Sequence, residues 1–196
     1  MIPFNIPPYV PECSAYVEQA IQNHKICGDG VFTKRCNAAL EEIAGVHRAL
    51  LTTSGTSALE MAALLMDIQP GDEVIMPSYT FCSTANAFAL RGATIVFVDV
   101  DPQTMNIDPE CVRAAITPKT ALCVVCHASN VTGVIQPVKT LSDTLKPYGV
   151  PLLVDAAQTA GVLDVSLQSL GADMIAMPGH KGLLGPQGVG ILVLGK

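Results

Sequence analysis

Lys181 is the residue of this sequence whose surroundings point most directly to covalent chemistry. It follows the apolar stretch 173–177 and lies in a glycine-rich turn with Gly179, Gly182 and Gly185 close by. A partly buried lysine has a lowered pKa, so its amine is free to form a Schiff base with a carbonyl group. The alternative is a solvated lysine in a surface turn, and the residues upstream decide between the two.

Asp155 is a carboxylate that directly follows the apolar stretch 152–154. Burying an aspartate is unfavourable unless a partner compensates its charge, so this position demands a cation. A protonated pyridine nitrogen would serve, and Gln158 could then hydrogen-bond a neighbouring ring oxygen. The alternatives are a helix N-cap or an ion pair with an arginine, but the arginines lie far away in the sequence, at Arg35, Arg48, Arg91 and Arg113.

Residues 53–57 read Thr-Ser-Gly-Thr-Ser and separate a strand-like run from a helix-like one. Ser54, Gly55 and Thr56 combine hydroxyl groups with the free amides of a helix N-terminus. Such an arrangement binds anions and suits a phosphate group best. The alternative is an ordinary N-cap at Ser54 or Thr56.

Two further positions could contact a flat heteroaromatic ring. Tyr79 and Phe81 follow the run 73–76, and a side-chain ring at a strand end can stack on such a ligand. His127 directly follows the run 121–126. Each signal is weak alone, because aromatic residues at sheet edges mostly pack and a lone histidine there is more often structural.

A phosphate-binding turn, a stacking ring, a buried acid and a Schiff-base lysine together make a site for pyridoxal 5′-phosphate. Asp155 would keep the ring nitrogen protonated, so that the ring can accept electrons from a carbanion. Lys181 would hold the aldehyde and later move the α-proton. No one element is strong evidence, but the four occur in order along one predicted sheet edge.

These residues belong to a regular alternation of strands and helices. Seven strands are predicted from apolar runs at 48–52, 73–76, 94–98, 121–126, 152–154, 173–177 and 190–194. Helices are predicted between them at 57–66, 83–91, 109–115, 138–147 and 165–170. The alternation predicts an α/β fold, a three-layer αβα sandwich with a mostly parallel seven-stranded sheet, whose strand carboxyl ends meet at one ligand-binding edge.

Residues 1–45 are predicted to form an N-terminal part distinct from the large domain 46–196. Prolines predict an extended arm over residues 1–12, and helical spacing predicts helices over 14–24 and 31–44.

Composition excludes several classes of protein. The chain has 196 residues and a formal net charge of -6, and its lysines and arginines do not cluster, which argues against nucleic acid as a partner. No stretch has the length of a membrane span, and the first residues lack the pattern of a secretory signal. The seven scattered cysteines predict reduced thiols, with Cys123 and Cys126 as small core residues. A cytoplasmic protein is expected.

Longer motifs add a family resemblance that differs between the two halves. Residues 1 to about 120 resemble DegT/StrS-type sugar aminotransferases, through the motifs at 1–5, 27–30, 53–60, 71–81 and 97–108. From about residue 121 the chain is similar to class V aminotransferases and cysteine desulfurases, through the motifs at 127–133, 154–161 and 178–188. Both groups are fold-type-I pyridoxal-phosphate enzymes.

The resemblance implies a role for each candidate residue. Lys181 would form the Schiff base, Asp155 would bind the pyridine nitrogen, Gln158 the ring oxygen, and Gly55 with Thr56 the phosphate. His127 is the stacking residue in one family pattern and Phe81 in the other. His180 would assist at the phosphate, and Asn130 would face cofactor or substrate. The resemblance also implies a homodimer that completes the active site.

The resemblance further implies an amino transfer from glutamate to a keto sugar nucleotide of the dTDP-4-oxo-6-deoxyglucose kind. Because both families continue into a smaller C-terminal domain, this chain is expected to contain only the large domain of such an enzyme. The change of pattern near residues 116–122 predicts a chimera, natural or engineered. The alternatives are a class V desulfurase or selenocysteine lyase-like enzyme, and a catalytically silent scaffold.

Overall fold

A computed structural model describes residue 6 and residues 9–195. The strands are β1 Arg48–Thr52, β2 Glu73–Pro77, β3 Thr94–Val98, β4 Thr120–Cys126, β5 Leu152–Asp155, β6 Met174–Pro178 and β7 Gly190–Leu194. The helices are α1 Glu12–Gln22, α2 Val31–Ala44, α3 Gly55–Leu65, α4 Cys82–Ala89, α5 Pro109–Ala115, α6 Val138–Leu145 and α7 Leu167–Leu170. All seven predicted strands are present, each within one residue of its predicted bounds.

Helix ends differ more from the prediction, because capping residues decide them. α3 begins before the predicted residue 57, since the Ser54 side chain caps it. α7 begins only at Leu167, since Ser166 forms a capping box with Ser169. α6 gives way to a 3₁₀ turn, Lys146–Tyr148, around a proline that lacks an amide donor.

The strands form one sheet in the order β1-β7-β6-β5-β4-β2-β3. β2 to β6 run parallel to one another, whereas β7 is antiparallel to both β1 and β6. Residues 179–189 join β6 to β7 without a helix, and parallel neighbours would need a longer crossover. The mostly parallel sheet is confirmed, and β1, β2, β4, β5 and β6 all end at the same edge.

Helices cover both faces of the sheet, which confirms the three-layer αβα architecture. α3 and α4 pack on one face, and α2, α5, α6 and α7 contribute to the core on the other. Neighbouring strand residues alternate between these cores: Val125 and Val154 lie in one, and Val124 and Leu153 in the other. Burial on both faces explains why the central strands are continuous apolar runs.

The N-terminal part is only loosely packed. α1 has no buried residue, and its Tyr16 ring lies 5.5 Å from the Phe32 ring of α2, with the Arg35 guanidinium near both. The arm predicted for residues 1–12 falls mostly outside the described residues, and Glu12 is already helical. A division of the chain after residue 45 stays a prediction.

Within the described part of the chain, every helix is too short or too polar to cross a lipid bilayer. All seven cysteines are free thiols.

Candidate functional site

A cavity of about 330 Å³ opens at the carboxyl edge of the sheet. The residues that line it follow the ends of β2, β4, β5 and β6, as expected for the ligand site of an open α/β sheet. Its volume suits a small molecule or cofactor. Five of the ten predicted site residues line it: Phe81, Asn130, Asp155, Gln158 and Lys181.

Asp155 and Lys181 meet here because their strands are neighbours. β5 and β6 pair in parallel, with Asp155 opposite Ala176, so both strands deliver their next residues to the same edge. The two side chains line one cavity, where burial raises the pKa of Asp155 and the charge of Lys181 opposes part of that rise. Lys181 itself is exposed rather than partly buried. The partial burial predicted for this lysine is therefore not found within the described chain.

Asp155 is buried, with 7% of its surface exposed. Its Oδ1 accepts a hydrogen bond from the Ala157 amide at 2.9 Å, and its Oδ2 accepts one from the Thr84 hydroxyl at 3.4 Å. Burial raises the pKa of Asp155, while these donors and Lys181 oppose that rise. Among the described residues no cationic side chain forms an ion pair with it. The carboxylate could therefore accept a cationic ligand as its partner.

The predicted anion site follows β1 at the same sheet edge, but Ser54, Gly55 and Thr56 do not line the cavity. The Ser54 side chain accepts a hydrogen bond from the Ser57 amide at 3.0 Å, and the Ser54 carbonyl accepts one from the Ala58 amide at 3.0 Å. Within the described chain these bonds leave the amides of Gly55 and Thr56 for an anion. Gly55 packs on the end of β6, since a Cβ there would lie 3.3 Å from the Pro178 nitrogen.

The candidate stacking residues occupy different places. Phe81 lines the cavity and is 67% exposed. His127 is buried outside the cavity lining, with Nδ1 2.8 Å from the Thr159 hydroxyl. Burial lowers the pKa of His127, so its ring is neutral at pH 7. His180 is exposed and does not line the cavity either.

Sequence reasoning assigned no role to several residues of this site, among them Thr84, Gln136 and Cys126. Thr84 is completely buried in the first turn of α4 and reaches Asp155. Gln136 lines the cavity while its Oε1 accepts a hydrogen bond from the Ile107 amide at 2.8 Å. Cys126 was expected in the core but is only half-buried and lines the cavity, and burial is the main reason that its pKa rises to about 11. Only Thr84 carried a signal, a hydroxyl residue at a helix start.

The chain is similar to known proteins both in sequence and in fold. A model of the DegT/DnrJ/EryC1/StrS aminotransferase family matches residues 9–171. The matched range contains eight of the ten predicted site residues and ends before His180 and Lys181. It also extends across residues 116–122, where the change of pattern predicts a chimera.

Two curated relatives match part of the chain. The 3-amino-5-hydroxybenzoate synthase of Amycolatopsis mediterranei is 44% identical over 117 residues, which cover 60% of this chain and 29% of the relative. The UDP-2-acetamido-2-deoxy-3-oxo-D-glucuronate aminotransferase of Pseudomonas aeruginosa is 36% identical over 122 residues, which cover 62% of this chain and 33% of the relative. The match thus spans about a third of either relative.

Three solved structures share the fold. A 3-amino-5-hydroxybenzoic acid synthase is 31% identical, with a TM-score of 0.82 over 98% of this chain and 50% of its own. NtdA of Bacillus subtilis, with bound cofactor PMP, is 26% identical, with a TM-score of 0.80 over 94% of this chain and 41% of its own. A cysteine desulfurase of Thermococcus onnurineus is 29% identical, with a TM-score of 0.70 over 81% of this chain and 41% of its own.

Proposed function

Because this chain belongs to the DegT/DnrJ/EryC1/StrS aminotransferase family, we propose that it binds pyridoxal 5′-phosphate at Lys181 and transfers an amino group from glutamate to a keto sugar nucleotide. The observation that carries the proposal is the cavity shared by Lys181 and the buried carboxylate of Asp155. The similar NtdA of B. subtilis binds PMP, the amine form of this cofactor.

The residues around the cavity fit this cofactor. Asp155 is a buried anion without a cationic side-chain partner in the described chain, and a protonated ring nitrogen would supply the cation. Gln158 would donate to the ring oxygen, and the amides of Gly55 and Thr56, supported by the Ser54 cap, would hold the phosphate. Phe81 would present a ring face, with His127 as the second candidate for that role.

When bound, the cofactor supplies an aldehyde carbon and a ring that takes up an electron pair. The chain's own part is to hold charges and move a proton. Asp155 would keep a proton on the ring nitrogen, and the Lys181 amine would accept the proton that leaves the substrate α-carbon and would return a proton there in the reverse half-reaction. Asn130 would contact cofactor or substrate, and His180 would assist at the phosphate.

The proposed acceptor is a keto sugar nucleotide like dTDP-4-oxo-6-deoxyglucose. The family motifs of the first half and the P. aeruginosa relative, which is named for a UDP-linked oxo sugar acid, support this class. We further propose that the active unit is a homodimer in the cytoplasm.

A class V activity is the second candidate, and the likeness to a cysteine desulfurase is the observation that favours it. On this proposal the segment from about residue 121 has a class V origin, joined near residues 116–122, and the substrate is a cysteine-like amino acid. A silent scaffold, which keeps the fold without turnover, is the third candidate.

Spectra of the cofactor-loaded chain separate the three candidates. Glutamate is expected to convert the cofactor to its amine form, which shifts the absorbance maximum, because a transaminase completes that half-reaction without an acceptor. Sulfide release from L-cysteine would instead support the class V candidate. No change with either amino acid would support the scaffold.

The lysine assignment is tested by Lys181→Ala. The variant is expected to fold and to lose the absorbance of the covalently bound cofactor, because no amine remains at the aldehyde. Borohydride reduction and peptide mass mapping should find the cofactor on Lys181 in the wild type. Lys139→Ala, at an exposed lysine of α6, is the control and should keep the wild-type spectrum. An unchanged spectrum in Lys181→Ala would refute the assignment.

A further inference from the structure

Two glycines bring the segment that carries Lys181 against the turn that follows Asp155. A Cβ atom on Gly182 would overlap the carbonyl oxygen of Ala160, and one on Gly161 would overlap the carbonyl oxygen of Gly182. Both distances are under 3.0 Å, closer than real Cβ atoms come to such a neighbour. The nearest obstacle at each position is a backbone oxygen, which cannot rotate away as a side chain would.

The turn on one side of this contact is fixed to the cofactor cavity. Its first residues hold the Asp155 carboxylate through the Ala157 amide at 2.9 Å. Gln158 lines the cavity, and the Thr159 hydroxyl lies 2.8 Å from His127 Nδ1. A movement of this turn would therefore move Asp155 and its neighbours together.

The segment on the other side is a compact loop with its own hydrogen bonds. The Gly179 amide donates to the Val189 carbonyl at 2.8 Å, and the Gly185 amide donates to the Gly179 carbonyl at 2.7 Å. The Leu184 amide donates to the Lys181 carbonyl at 2.9 Å. Because these hydrogen bonds hold the loop together, a displacement of Gly182 would also displace Lys181.

We propose that Gly161 and Gly182 are positioning residues that set the separation between Lys181 and Asp155. A methyl group at either position would force the two backbones apart by about 1 Å, the scale at which a misplaced group loses much of its reactivity. The inference rests on the proposed function of Lys181, and it concerns how the lysine is placed rather than which residue reacts.

Two other glycines give matched controls for the ordinary effects of substitution. Gly161 has φ +80° and Gly188 has φ +88°, so a side chain is strained at both, but nothing lies within 4 Å of a Cβ at Gly188. Gly182 and Gly28 lack positive φ angles, and a Cβ at Gly28 meets open space. Gly161 therefore differs from Gly188, and Gly182 from Gly28, mainly in the close contact between the turn after Asp155 and the segment that carries Lys181.

The test follows covalent capture of the cofactor in the full chain. Wild type, Gly161→Ala, Gly182→Ala, Gly188→Ala and Gly28→Ala are mixed with saturating pyridoxal phosphate. The rate at which Lys181 becomes reducible by cyanoborohydride is measured by peptide mass mapping, and unfolding by urea is measured without cofactor. We expect Gly161→Ala and Gly182→Ala to react at least about tenfold more slowly, and the two controls to react like the wild type.

The outcomes separate this inference from the proposed function. If the wild type itself never carries cofactor on Lys181, the proposed function fails. If the wild type reacts and folded Gly161→Ala and Gly182→Ala react equally fast, only the positioning role is overturned. Gly161→Asn, compared with Gly188→Asn, serves as a second variant because asparagine tolerates positive φ. If the Gly161 and Gly182 variants all unfold while the controls fold, the glycines serve folding and the inference is wrong.

Discussion

Asp155 is an acid whose charge the described chain compensates only in part. Burial raises its pKa, and the Ala157 amide, Lys181 and the Thr84 hydroxyl act against that rise. The buried carboxylate is therefore a source of instability as long as no cation binds it. The proposed cofactor site requires such an acid at this position.

The stability of the cofactor-free protein should reflect this acid. A carboxyl whose pKa is raised on folding contributes stability below its unfolded pKa of about 3.9 and loses it as pH rises through the folded pKa. Asp155→Asn cannot ionise, so it should gain stability relative to the wild type as pH rises from about 4 to neutrality. Urea unfolding across that range measures the difference. Asp164→Asn, at an exposed site, should show no such trend, and a flat difference for Asp155→Asn would contradict the prediction.

Thr84 should act on the cofactor through Asp155. Thr84→Val removes the hydroxyl that donates to Oδ2, so the pKa of Asp155 should rise further, and a proton shared with the ring nitrogen should shift toward the carboxylate. The readout is the pH midpoint of the bound cofactor's absorbance, which Thr84→Ser should restore. Thr144→Val, which removes a buried hydroxyl bonded within α6, should change stability only. Equal midpoints in wild type and Thr84→Val would rule the role out.

At the scale of elements, α3 links the proposed anion site at its N-terminus to β6, the strand that precedes Lys181. The helix packs on β6 and β7, and the residue before it, Ser54, lies against the start of β7, where a Cβ on Gly190 would overlap the Ser54 carbonyl oxygen. The apolar face of α3 thus fixes where its free amides lie.

Ser54→Ala should therefore have two effects. Loss of the cap should lower the free energy of unfolding by about 1 kcal/mol, since the Ser57 amide loses its partner. The freed, less ordered helix start should also weaken binding of pyridoxal phosphate more than that of pyridoxal, which lacks the phosphate. Ser166→Ala, which removes the cap of α7, is the matched control and should affect stability alone. An equal loss of affinity for pyridoxal phosphate and for pyridoxal would contradict phosphate binding at the N-terminus of α3.

At the scale of the whole molecule, the mouth of the cavity is apolar and open. Phe81 and Val131 both line it and are 67% and 76% exposed, and Lys181 beside them is exposed as well. A second copy of the chain that covers this mouth would bury these rings and methyl groups and shield the lysine from water.

We therefore expect self-association through the cavity mouth. Sedimentation velocity should give twice the mass of the 20.5 kDa chain, and Val131→Asp should shift the protein toward monomer because it would bury a charge. Ile43→Asp, at an equally exposed apolar residue of α2, is the control and should remain a dimer. A monomeric wild type would contradict the prediction.

Much of the architecture could be predicted from sequence because its causes are local. A strand buried on both faces must be a continuous apolar run, so the runs 121–126 and 152–154 predicted β4 and β5 within a residue. The position of a carboxylate or a lysine directly after such a run can likewise be read from the local sequence. Consecutive parallel strands then brought Asp155 and Lys181 to one edge, as expected.

Contacts between distant segments were decided only by the tertiary structure. β7 lies between β1 and β6, and Thr84 meets Asp155 across 71 positions, because packing of whole elements selects these neighbours. The exposure of Lys181 and the burial of His127 away from the cavity also depend on what surrounds them in space. Residue type and spacing determined which groups reach the sheet edge, whereas the fit of elements against one another determined which groups touch there.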